Sequence, residues 1–520
     1  MAIYLNTNIP LQKLNKLFNT EYFIDKSMII EKTNKLINTA NSFLCITKPR
    51  RFGKSSIANM LGAYYSKESS SKDIFDKLNI SSSYSYLAHL NNYNVISLSF
   101  VEIDNNCKTC REYIERLERL LIQDLIEIFP DIIIKKDYAI WDILNELGEK
   151  FIFIFDEWDY IFNNNLFVKE QNDFLTFLMK LLKDQPYVSF AYMTGILPIK
   201  KYSDGSALNM FDEYTMLQDE LYGDYFGFNE TEVKKLCINQ HKVDFNEISD
   251  WYNGYINEYG DKIYNPRSVI KALQNGKCRS YWTNTGSMDA VYNYLKYNIL
   301  DVREDVIKMV SGEEIDIIIA EEFRAGQEAP KTKEEIYSAM IILGFLSYYN
   351  GYLKIPNKEL MKEFEKALRD ESFGYVSDII KNSKDILEAT VSGDTSTVVE
   401  ILHDIHNSEI PILMYNDENS LSCVITLASL SARDTYRVER EEKSGKGYAD
   451  FTFHPRRRGD TAFVLELKKD STVDNAINQI KDKEYFKKFI QEHEGREILA
   501  VAICYDSKNK EHSCKIEKLK

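Results

Sequence analysis

The chain has 520 residues, of which 44% are hydrophobic, so it is long enough for about two to four domains with packed cores of their own. A formal net charge of −15 argues against a surface coated in basic groups for bulk nucleic-acid binding. It leaves open a local groove that binds DNA or RNA. The longest apolar run, residues 339–346, is far shorter than the roughly 20 residues of a membrane helix, and the N-terminus has no apolar signal segment. Eight scattered cysteines indicate no disulfide framework, so we expect a cytoplasmic protein without a membrane partner.

Two helical patterns open the chain, over residues 9–18 and 27–38, and the apolar run FLCIT at residues 43–47 predicts the first strand. The stretch TKPRRFGKSS at residues 47–56 follows, and an amphipathic pattern then predicts a helix to residue 65. A strand that breaks into a loop and opens a helix aims backbone N–H groups and the positive end of the helix at one point. That point suits the phosphates of a nucleotide.

The loop ends in Gly53-Lys54-Ser55, the residues that would contact the phosphates and the metal ion. Lys54 would reach the β- and γ-phosphates, and the Ser55 hydroxyl would ligate Mg²⁺. The pattern GxxxxGK[ST] needs a first glycine at position 48, where this chain has Lys48. The motif is therefore incomplete by itself, and other parts of the sequence are needed to decide whether this loop binds a nucleotide.

Strands and helices alternate after the loop. Residues 94–101 predict a strand, and residues 112–129 and 139–147 predict helices. Such alternation is typical of a parallel sheet that is covered by helices on both faces.

The next strong motif is the run FIFIF at residues 151–155, followed by Asp156 and Glu157. It predicts a buried strand that delivers two carboxylates to the sheet edge where open α/β sheets bind ligands. Asp156 would hold Mg²⁺ through water, and Glu157 would orient or deprotonate the attacking water. A further strand, predicted at residues 187–193, ends in Thr194, our candidate sensor of the γ-phosphate.

The quoted motifs, together with TEYFIDKS, YMTGILPIKK and IYNPRSVI, resemble the bacterial predicted AAA-ATPase-like family, which is related to the archaeal-type ATPases of the STAND class. The resemblance covers most of residues 10–280. It implies an ATP site with Glu157 as the catalytic carboxylate and with Arg50, Arg51, Phe52, Gly53, Lys54, Ser55, Ser56, Asp156 and Thr194 as binding residues. Asp25-Lys26, Asp159 and Gly195 also match the family pattern. Because that family lacks the first loop glycine, Lys48 no longer counts against nucleotide binding.

The middle of the chain, from residue 216 to about residue 433, consists mainly of helical patterns. Asn265-Pro266 reads as a helix start, and the following Arg267 is either a second nucleotide sensor or a surface residue. Residues 332–345 predict an amphipathic helix, and LSYYNGYLKIP then predicts a hairpin with its turn at Asn350-Gly351. A helix followed by a hairpin indicates a winged-helix-like module.

A second chemical centre lies near the C-terminus. Asp450 opens a predicted strand after a glycine-rich turn, while Glu466 and Lys468 stand two residues apart in the run AFVLELK and therefore point to the same face of another strand. Two carboxylates and a lysine at one sheet edge can hold Mg²⁺, with Mn²⁺ as an alternative, and stabilise a scissile phosphate.

The spacing D-x15-E-x-K resembles the signature of the PD-(D/E)XK nuclease superfamily. The similarity covers roughly residues 405–510 and extends to GKGYAD before the strand and to Gln479 after it. It implies that Asp450, Glu466 and Lys468 are catalytic, and that Glu418, Asp450 and Glu466 hold the metal. The run Arg456-Arg457-Arg458 is either a phosphate contact or a solvated loop.

These observations predict an α/β protein with three domains: a P-loop parallel-sheet ATPase (1–215), a helical, winged-helix-like relay (216–400) and a restriction-endonuclease-like α/β domain (401–520). We expect an ATP- and Mg²⁺-dependent ATPase that governs a nuclease in defence or mobile-element biology, with DNA favoured over RNA. Homo-oligomers stay open. The alternative is a STAND-like, ATP-switched signalling protein whose C-terminal domain binds nucleic acid or partners without cleaving.

Overall fold

The computed structural model describes residues 2–199, 208–240, 242–282, 302–310, 312–319, 323–324, 330, 332–368, 375–406, 425–426, 429–430, 432–440, 451–457, 459–482 and 489–519. The chain forms two compact units, one made of Met1–Ser287 with Asp316–Leu360 and the other of Met288–Ile315 with Met361–Lys520. The division into three domains stays a prediction.

The first unit begins with a five-stranded parallel sheet and the helices around it. Its strands are β1 (Phe43–Thr47), β2 (Asn94–Ser99), β3 (Phe151–Asp156), β4 (Val188–Gly195) and β5 (Asp212–Tyr214). The helices in this part are α1 (Ile9–Phe18), α2 (Ile29–Asn34), α3 (Lys54–Tyr65), α4 (Lys72–Phe75), α5 (Tyr86–His89), α6 (Cys110–Ile128), α7 (Ile140–Leu147), α8 (Tyr160–Asn163) and α9 (Gln171–Leu182). The predicted alternation of strands and helices is confirmed, although α2 is shorter than its pattern suggested.

The strand order is β2-β3-β4-β1-β5, and all neighbours run parallel. β4 is therefore inserted between the strand that leads into the phosphate loop and the strand that carries the acids. Thr194 on β4 pairs with Ile46 on one side and with Asp156 on the other. The carboxyl ends of all three strands meet at one sheet edge, which is the ligand-binding edge of open α/β sheets.

The sequence of β3 shows why this sheet is covered twice. Phe151, Phe153 and Phe155 join the core that contains α6, α7 and α9, while Ile152 and Ile154 join the core that contains α3. Successive side chains of a strand point to opposite faces, so an uninterrupted apolar run needs cover on both. The prediction of a buried parallel strand is confirmed.

The remainder of the first unit is smaller. Its strands are β6 (Phe228–Asn229), β7 (Tyr255–Ile256), β8 (Lys262–Tyr264), β10 (Ser347–Tyr349) and β11 (Tyr352–Lys354). The short β9 (Ile315–Asp316) precedes β10 in the chain. Its helices are α10 (Glu230–Gln240), α11 (Phe245–Tyr252), α12 (Pro266–Asn275) and α14 (Lys333–Ile342), with α13 (Val302–Val310) in the second unit between them.

Two local predictions are confirmed in this region. The Asn265 side chain caps α12 by accepting hydrogen bonds from the backbone of Arg267 and Ser268, and Pro266 is the first helical residue. β10 and β11 pair around Asn350 and Gly351, which both have positive φ angles, 50° and 86°. An Asn-Gly pair tolerates this turn because two left-handed residues match the twist of a hairpin.

The second unit is built on a five-stranded mixed sheet. Its strands are β12 (Tyr436–Arg440), β13 (Phe451–Pro455), β14 (Ala462–Lys469), β15 (Ile498–Asp506) and β16 (Glu511–Lys518), in that order, with β14 and β15 parallel and the other pairs antiparallel. Its helices are α15 (Lys358–Leu368), which begins in the first unit, α16 (Tyr375–Ser392), α17 (Thr395–His406), α18 (Ala432–Thr435) and α19 (Val473–Asp482). Ala476, Ile477 and Ile480 of α19 pack on alternate residues of β14 and β15.

None of the helices in the described part of the chain combines the length and the apolar character that a membrane crossing requires. The cytoplasmic location stays a prediction.

Candidate active sites

The loop between β1 and α3 has the backbone of an anion-binding turn. Gly53 caps α3 in a left-handed conformation with φ 96°, and a methyl group built there would meet open space. Glycine is therefore selected at this position for its backbone rather than for room. Arg51 also has a positive φ, 72°. The turn exposes the first N–H groups of a 12-residue helix to the sheet edge.

Lys54 is buried, with 7% of its surface exposed, and its ammonium donates to the carbonyls of Lys48 (2.8 Å) and Pro49 (2.9 Å). Burial lowers the pKa of Lys54 to about 8, although the carboxylates of Asp159, Asp156 and Glu157 act in the opposite direction. A cation held at this depth is poised for a strong anionic partner.

Lys48, at the place of the missing glycine, has a structural partner. Its ammonium forms an ion pair with Asp219 and donates to the carbonyl of Thr215 at 2.6 Å, and both charged side chains are 5% exposed. The Lys48 backbone N–H donates to the carbonyl of Gly195. The loop is thus closed by a buried ion pair where a glycine turn would otherwise stand.

The end of β3 brings the predicted metal ligands together. Burial raises the pKa of Asp156, and the nearby Ser55 side chain acts on it in the opposite direction. Asp156 Oδ1 is buried and has no hydrogen-bond partner in the part of the chain that the structure describes. A hydroxyl and a carboxylate oxygen with unused capacity fit Mg²⁺, which takes oxygen ligands and is held by this pair of residue types in P-loop proteins.

Asp159 organises the end of the neighbouring strand. It is 1% exposed, and its Oδ2 accepts from the backbone N–H groups of Ile196 (3.0 Å) and Leu197 (2.8 Å). A methyl group on Gly195 would lie 2.7 Å from Trp158 Cδ1 and still closer to Asp159. Glycine therefore follows Thr194 because Trp158 and Asp159 occupy the space of a side chain.

The structure does not bring every predicted binding residue into one cavity. Thr194 is fully buried behind it and donates its hydroxyl to the Ile46 carbonyl at 2.8 Å. Phe52 is also buried and packs edge-on against Tyr255, with ring centroids 5.1 Å apart. Phe52 contributes packing here, and the assignment of both residues to ATP binding stays a prediction.

The cavity itself has a volume of about 600 Å³ and is strongly cationic. Its lining includes Arg50, Arg51, Gly53, Lys54, Ser55, Ser56, Glu157, Arg267 and Lys271. Burial and the charges of Arg267 and Arg50 lower the pKa of Arg51, so like charges face each other across the space. An anion with several charges would relieve this repulsion.

The sequence left two interpretations of Arg267 open, and the structure places it on the cavity wall. Its Nε is buried there and has no hydrogen-bond partner among the described residues. Lys271, one turn further along α12, lines the same wall and was missed in the sequence. Its spacing of four residues from Arg267 on an amphipathic helix was the available signal.

A polar network ties the phosphate loop to the segment after α12. The Arg50 carbonyl accepts from the indole N–H of Trp282 at 3.0 Å and from the Asn265 amide at 3.4 Å. Glu359, which is buried, accepts from the backbone of Tyr281 and Trp282 and from the Ser268 hydroxyl. Trp282 and Glu359 carried no local sequence signal, because their partners lie more than 70 residues away.

In the second unit, Glu466 and Lys468 do share one face of β14, as predicted, and Lys468 Nζ lies 3.1 Å from Glu466 Oε1. Glu466 is 1% exposed and also accepts a hydrogen bond from the side-chain amide of Gln479 on α19. A buried carboxylate is thus flanked by a cation and an amide.

Asp450 and Glu418 lie outside the described residues, so their part in this centre stays a prediction. β13 begins at Phe451, directly after Asp450 in the sequence, and Phe451 pairs with Leu465, the neighbour of Glu466. Of the triple arginine, Arg456 donates its Nε to the carbonyl of Tyr436, and Arg458 lies outside the described residues.

Comparisons with known proteins give separate matches for the two parts of the chain that carry the candidate sites. Residues 9–203 match the family model described as Predicted AAA-ATPase, and residues 416–514 match the model described as PD-(D/E)XK nuclease superfamily. A protein of Azotobacter chroococcum mcd 1, described as "Uncharacterized protein in vnfD 5'region", is 26% identical over 385 residues, which are 70% of this chain and 71% of that protein. The solved structure of the Walker-type ATPase PABY2304 of Pyrococcus abyssi is 14% identical and covers 65% of this chain and 94% of its own, with a TM-score of 0.34.

Proposed function

Because the chain joins an AAA-ATPase-like domain to a PD-(D/E)XK nuclease superfamily domain, we propose that it hydrolyses ATP at the β1–α3 loop and cuts nucleic-acid phosphodiester bonds at β14. ATP binding or hydrolysis would govern when the second centre acts. DNA is the favoured substrate, and a cytoplasmic role in defence or in mobile-element biology belongs to the proposal.

The observation that carries the ATPase is the convergence of Lys54, Ser55 and Glu157 on one cationic cavity at the carboxyl edge of the sheet. In this proposal Lys54 exchanges its bonds to the loop carbonyls for phosphate oxygens. Arg51 and Arg267 face the outer phosphates, and Glu157 orients the attacking water. The three cations would stabilise the negative charge that builds on the phosphates during transfer.

Mg²⁺ would be held by Ser55 and Asp156, and it would supply Lewis-acid stabilisation of the phosphate oxygens. The chain's own residues do the positioning. The buried Asp156 Oδ1 accepts no hydrogen bond from the described residues, and the Ser55 side chain lies near that carboxylate.

Two substitutions test the ATPase. We expect Lys54→Ala to abolish ATP turnover and Glu157→Gln to retain nucleotide binding while it slows hydrolysis by about a hundredfold or more. The exposed Lys150→Ala and Glu68→Gln serve as controls and should turn over ATP like the wild type. Unchanged turnover in both site variants would rule out the assignment.

The nuclease proposal rests on Glu466 and Lys468, which share one face of β14, and on Asp450 directly before β13. Carboxylates would hold Mg²⁺ or Mn²⁺, and the Lys468 ammonium would neutralise charge on the scissile phosphate. Glu418 is the proposed additional metal ligand.

The assay uses plasmid, linear duplex and single-stranded DNA and RNA, with Mg²⁺ or Mn²⁺ and with or without ATP. Asp450→Ala, Glu466→Ala and Lys468→Ala should lose cleavage, as should the wild type with a chelator. Lys469→Ala is a matched control, because its side chain points to the opposite face of the same strand. Equal cutting by all variants, or no cutting on any substrate, would remove the nuclease from the proposal.

A STAND-like ATP switch is the second candidate, favoured by the hydrogen bonds from Trp282 and Asn265 to the Arg50 carbonyl. These bonds give the loop a direct hold on the segment after α12, so a bound nucleotide could bias its position. ATP-dependent assembly of homo-oligomers without cleavage of any nucleic acid would favour the switch.

A further inference from the structure

The second unit contains a group of potential metal ligands that does not include the residues of the proposed β14 site. His454, His493 and Glu492 each offer one ligand atom, and these atoms all lie within 4.8 Å of one another. His454 Nδ1 is 2.9 Å from His493 Nε2. Both histidines are 9% exposed, while Glu492 is exposed.

Three separate segments build this cluster. His454 and Thr452 lie on β13 opposite Arg437 and Glu439 of β12, so all four belong to one row of cross-strand pairs. His493 comes from a helical turn in which its backbone N–H donates to the Phe489 carbonyl. The Phe489 ring packs against both imidazoles, with centroids 5.0 Å and 4.7 Å away. The arrangement is therefore a product of long-range packing rather than of chance proximity on one loop.

The surroundings of His454 orient it as metal ligands are oriented. Its other nitrogen, Nε2, lies 3.4 Å from Glu439 Oε2 and 3.2 Å from the Thr452 hydroxyl. A carboxylate accepts but does not donate, so the hydrogen of the neutral ring belongs on Nε2 and the lone pair on Nδ1 faces His493. A carboxylate behind the distal nitrogen is the usual support of a metal-bound histidine.

The charges around the pair are mixed. Arg437 and Glu492 face both histidines, Glu439 faces His454, and Arg496 faces His493. Burial lowers the pKa of both imidazoles and favours the neutral, ligating form. The anionic Glu492 supplies the charge that a divalent cation needs.

We propose that His454, His493 and Glu492 form a transition-metal site for Zn²⁺, with Glu439 as the support behind His454. Two imidazoles and one carboxylate suit Zn²⁺, whereas the carboxylate set proposed at β14 suits Mg²⁺ or Mn²⁺. The two centres would thus be loaded by different ions. Zinc would pin β13, which begins next to Asp450, to the turn at Phe489.

The test starts from the full-length protein, stripped with a chelator and dialysed, then loaded with ZnCl₂ or CoCl₂ in the presence of excess Mg²⁺. We expect about one retained zinc equivalent per chain and a cobalt absorption spectrum typical of tetrahedral coordination. Zn²⁺ should also raise the melting temperature of the second unit.

Variants locate the ion. His454→Gln and His493→Gln should lose the retained equivalent, and Glu492→Gln, which changes an exposed side chain and should fold normally, should weaken zinc affinity about tenfold or more. The exposed His403→Gln and the β14 variant Glu466→Gln should keep the zinc.

The proposal is overturned if the wild type retains no zinc, if Glu492→Gln and the histidine variants bind as tightly as the wild type, or if Glu466→Gln alone abolishes retention. None of these readouts depends on ATP hydrolysis or DNA cleavage, so the site can stand or fall independently of the proposed function.

Discussion

The two candidate active sites are built in different ways. At the phosphate loop, the groups that meet come from the loop between β1 and α3, from α3, from the segments that follow β3 and β4, and from α12. The first and last of them are separated by more than 200 residues along the chain. At β14, Glu466 and Lys468 stand two residues apart, and Gln479 follows on the next helix. The first site depends on strand order, whereas the second depends mainly on the two-residue period of one strand.

This difference determines what mutations should reveal. The phosphate-loop site is held by buried polar residues that do not line the cavity, such as Asp159, so its stability and its chemistry are linked. All four tryptophans, at positions 141, 158, 251 and 282, lie in the first unit. Tryptophan fluorescence therefore reports unfolding of that unit alone.

The largest effect is expected for Asp159→Ala. The change leaves the buried N–H groups of Ile196 and Leu197 without their acceptor, at a cost of about 2–5 kcal/mol in unfolding free energy. Asp159→Asn keeps an acceptor oxygen and should lose less than half as much. Urea unfolding followed by tryptophan fluorescence measures both. If both variants unfold at the urea concentration of the wild type, Asp159 does not hold the end of β4.

The second effect is a pH dependence that comes from Lys54. Its pKa is lowered to about 8 in the folded protein by burial, so between pH 8 and the ordinary lysine pKa the unfolded chain binds more protons than the folded one. Folding stability of the wild type should therefore rise with pH in this window. Lys54→Met lacks the titrating group.

We expect the stability advantage of Lys54→Met over the wild type to shrink by roughly 2–3 kcal/mol between pH 7 and pH 10. Urea unfolding of both proteins across this range gives the difference directly. Other titrating groups cancel because both proteins share them. A difference that does not change with pH would mean that Lys54 is not buried as a cation.

The sequence predicted much of this first site because its motifs are local. Gly53-Lys54-Ser55 marks a turn that needs a left-handed residue before a helix, and FIFIF followed by two acids marks a doubly covered strand with its polar end at the sheet edge. Both signals come from steric and burial rules that act within ten residues.

The rest could not be predicted because it depends on partners distant in sequence. The ion pair of Lys48 with Asp219, the burial of Phe52 against Tyr255 and the bond from Trp282 to the Arg50 carbonyl all join positions more than 150 residues apart. The histidine pair on β13 and near residue 490 was likewise invisible, because the two histidines lie 39 residues apart in the sequence. Tertiary packing creates these contacts, and no local pattern encodes them.

The third effect tests the β14 centre. Gln479→Ala removes the amide that donates to the buried Glu466 carboxylate, which should cost about 1.5–3 kcal/mol, because hydrogen bonds to charged groups are stronger than neutral ones. The exposed neighbour Asn478→Ala on α19 is the control. Calorimetry should show a lower melting temperature for the second unit only, with tryptophan fluorescence unchanged. Equal melting of Gln479→Ala and Asn478→Ala would mean that Glu466 is held without Gln479.

The smallest effect separates stability from nucleotide binding at the phosphate loop. Trp282→Phe keeps an aromatic ring edge-on to Phe345 but loses the N–H that donates to the Arg50 carbonyl, worth about 1 kcal/mol. If the bond fixes the loop for phosphates, ATP affinity measured by calorimetry should fall about fivefold. Trp251→Phe, which removes an indole away from the loop, should bind ATP normally. Wild-type affinity in Trp282→Phe would show that the loop keeps its binding conformation without this bond. The phosphate-loop site would then depend less on contacts between distant residues, and would be more like the β14 site in this respect.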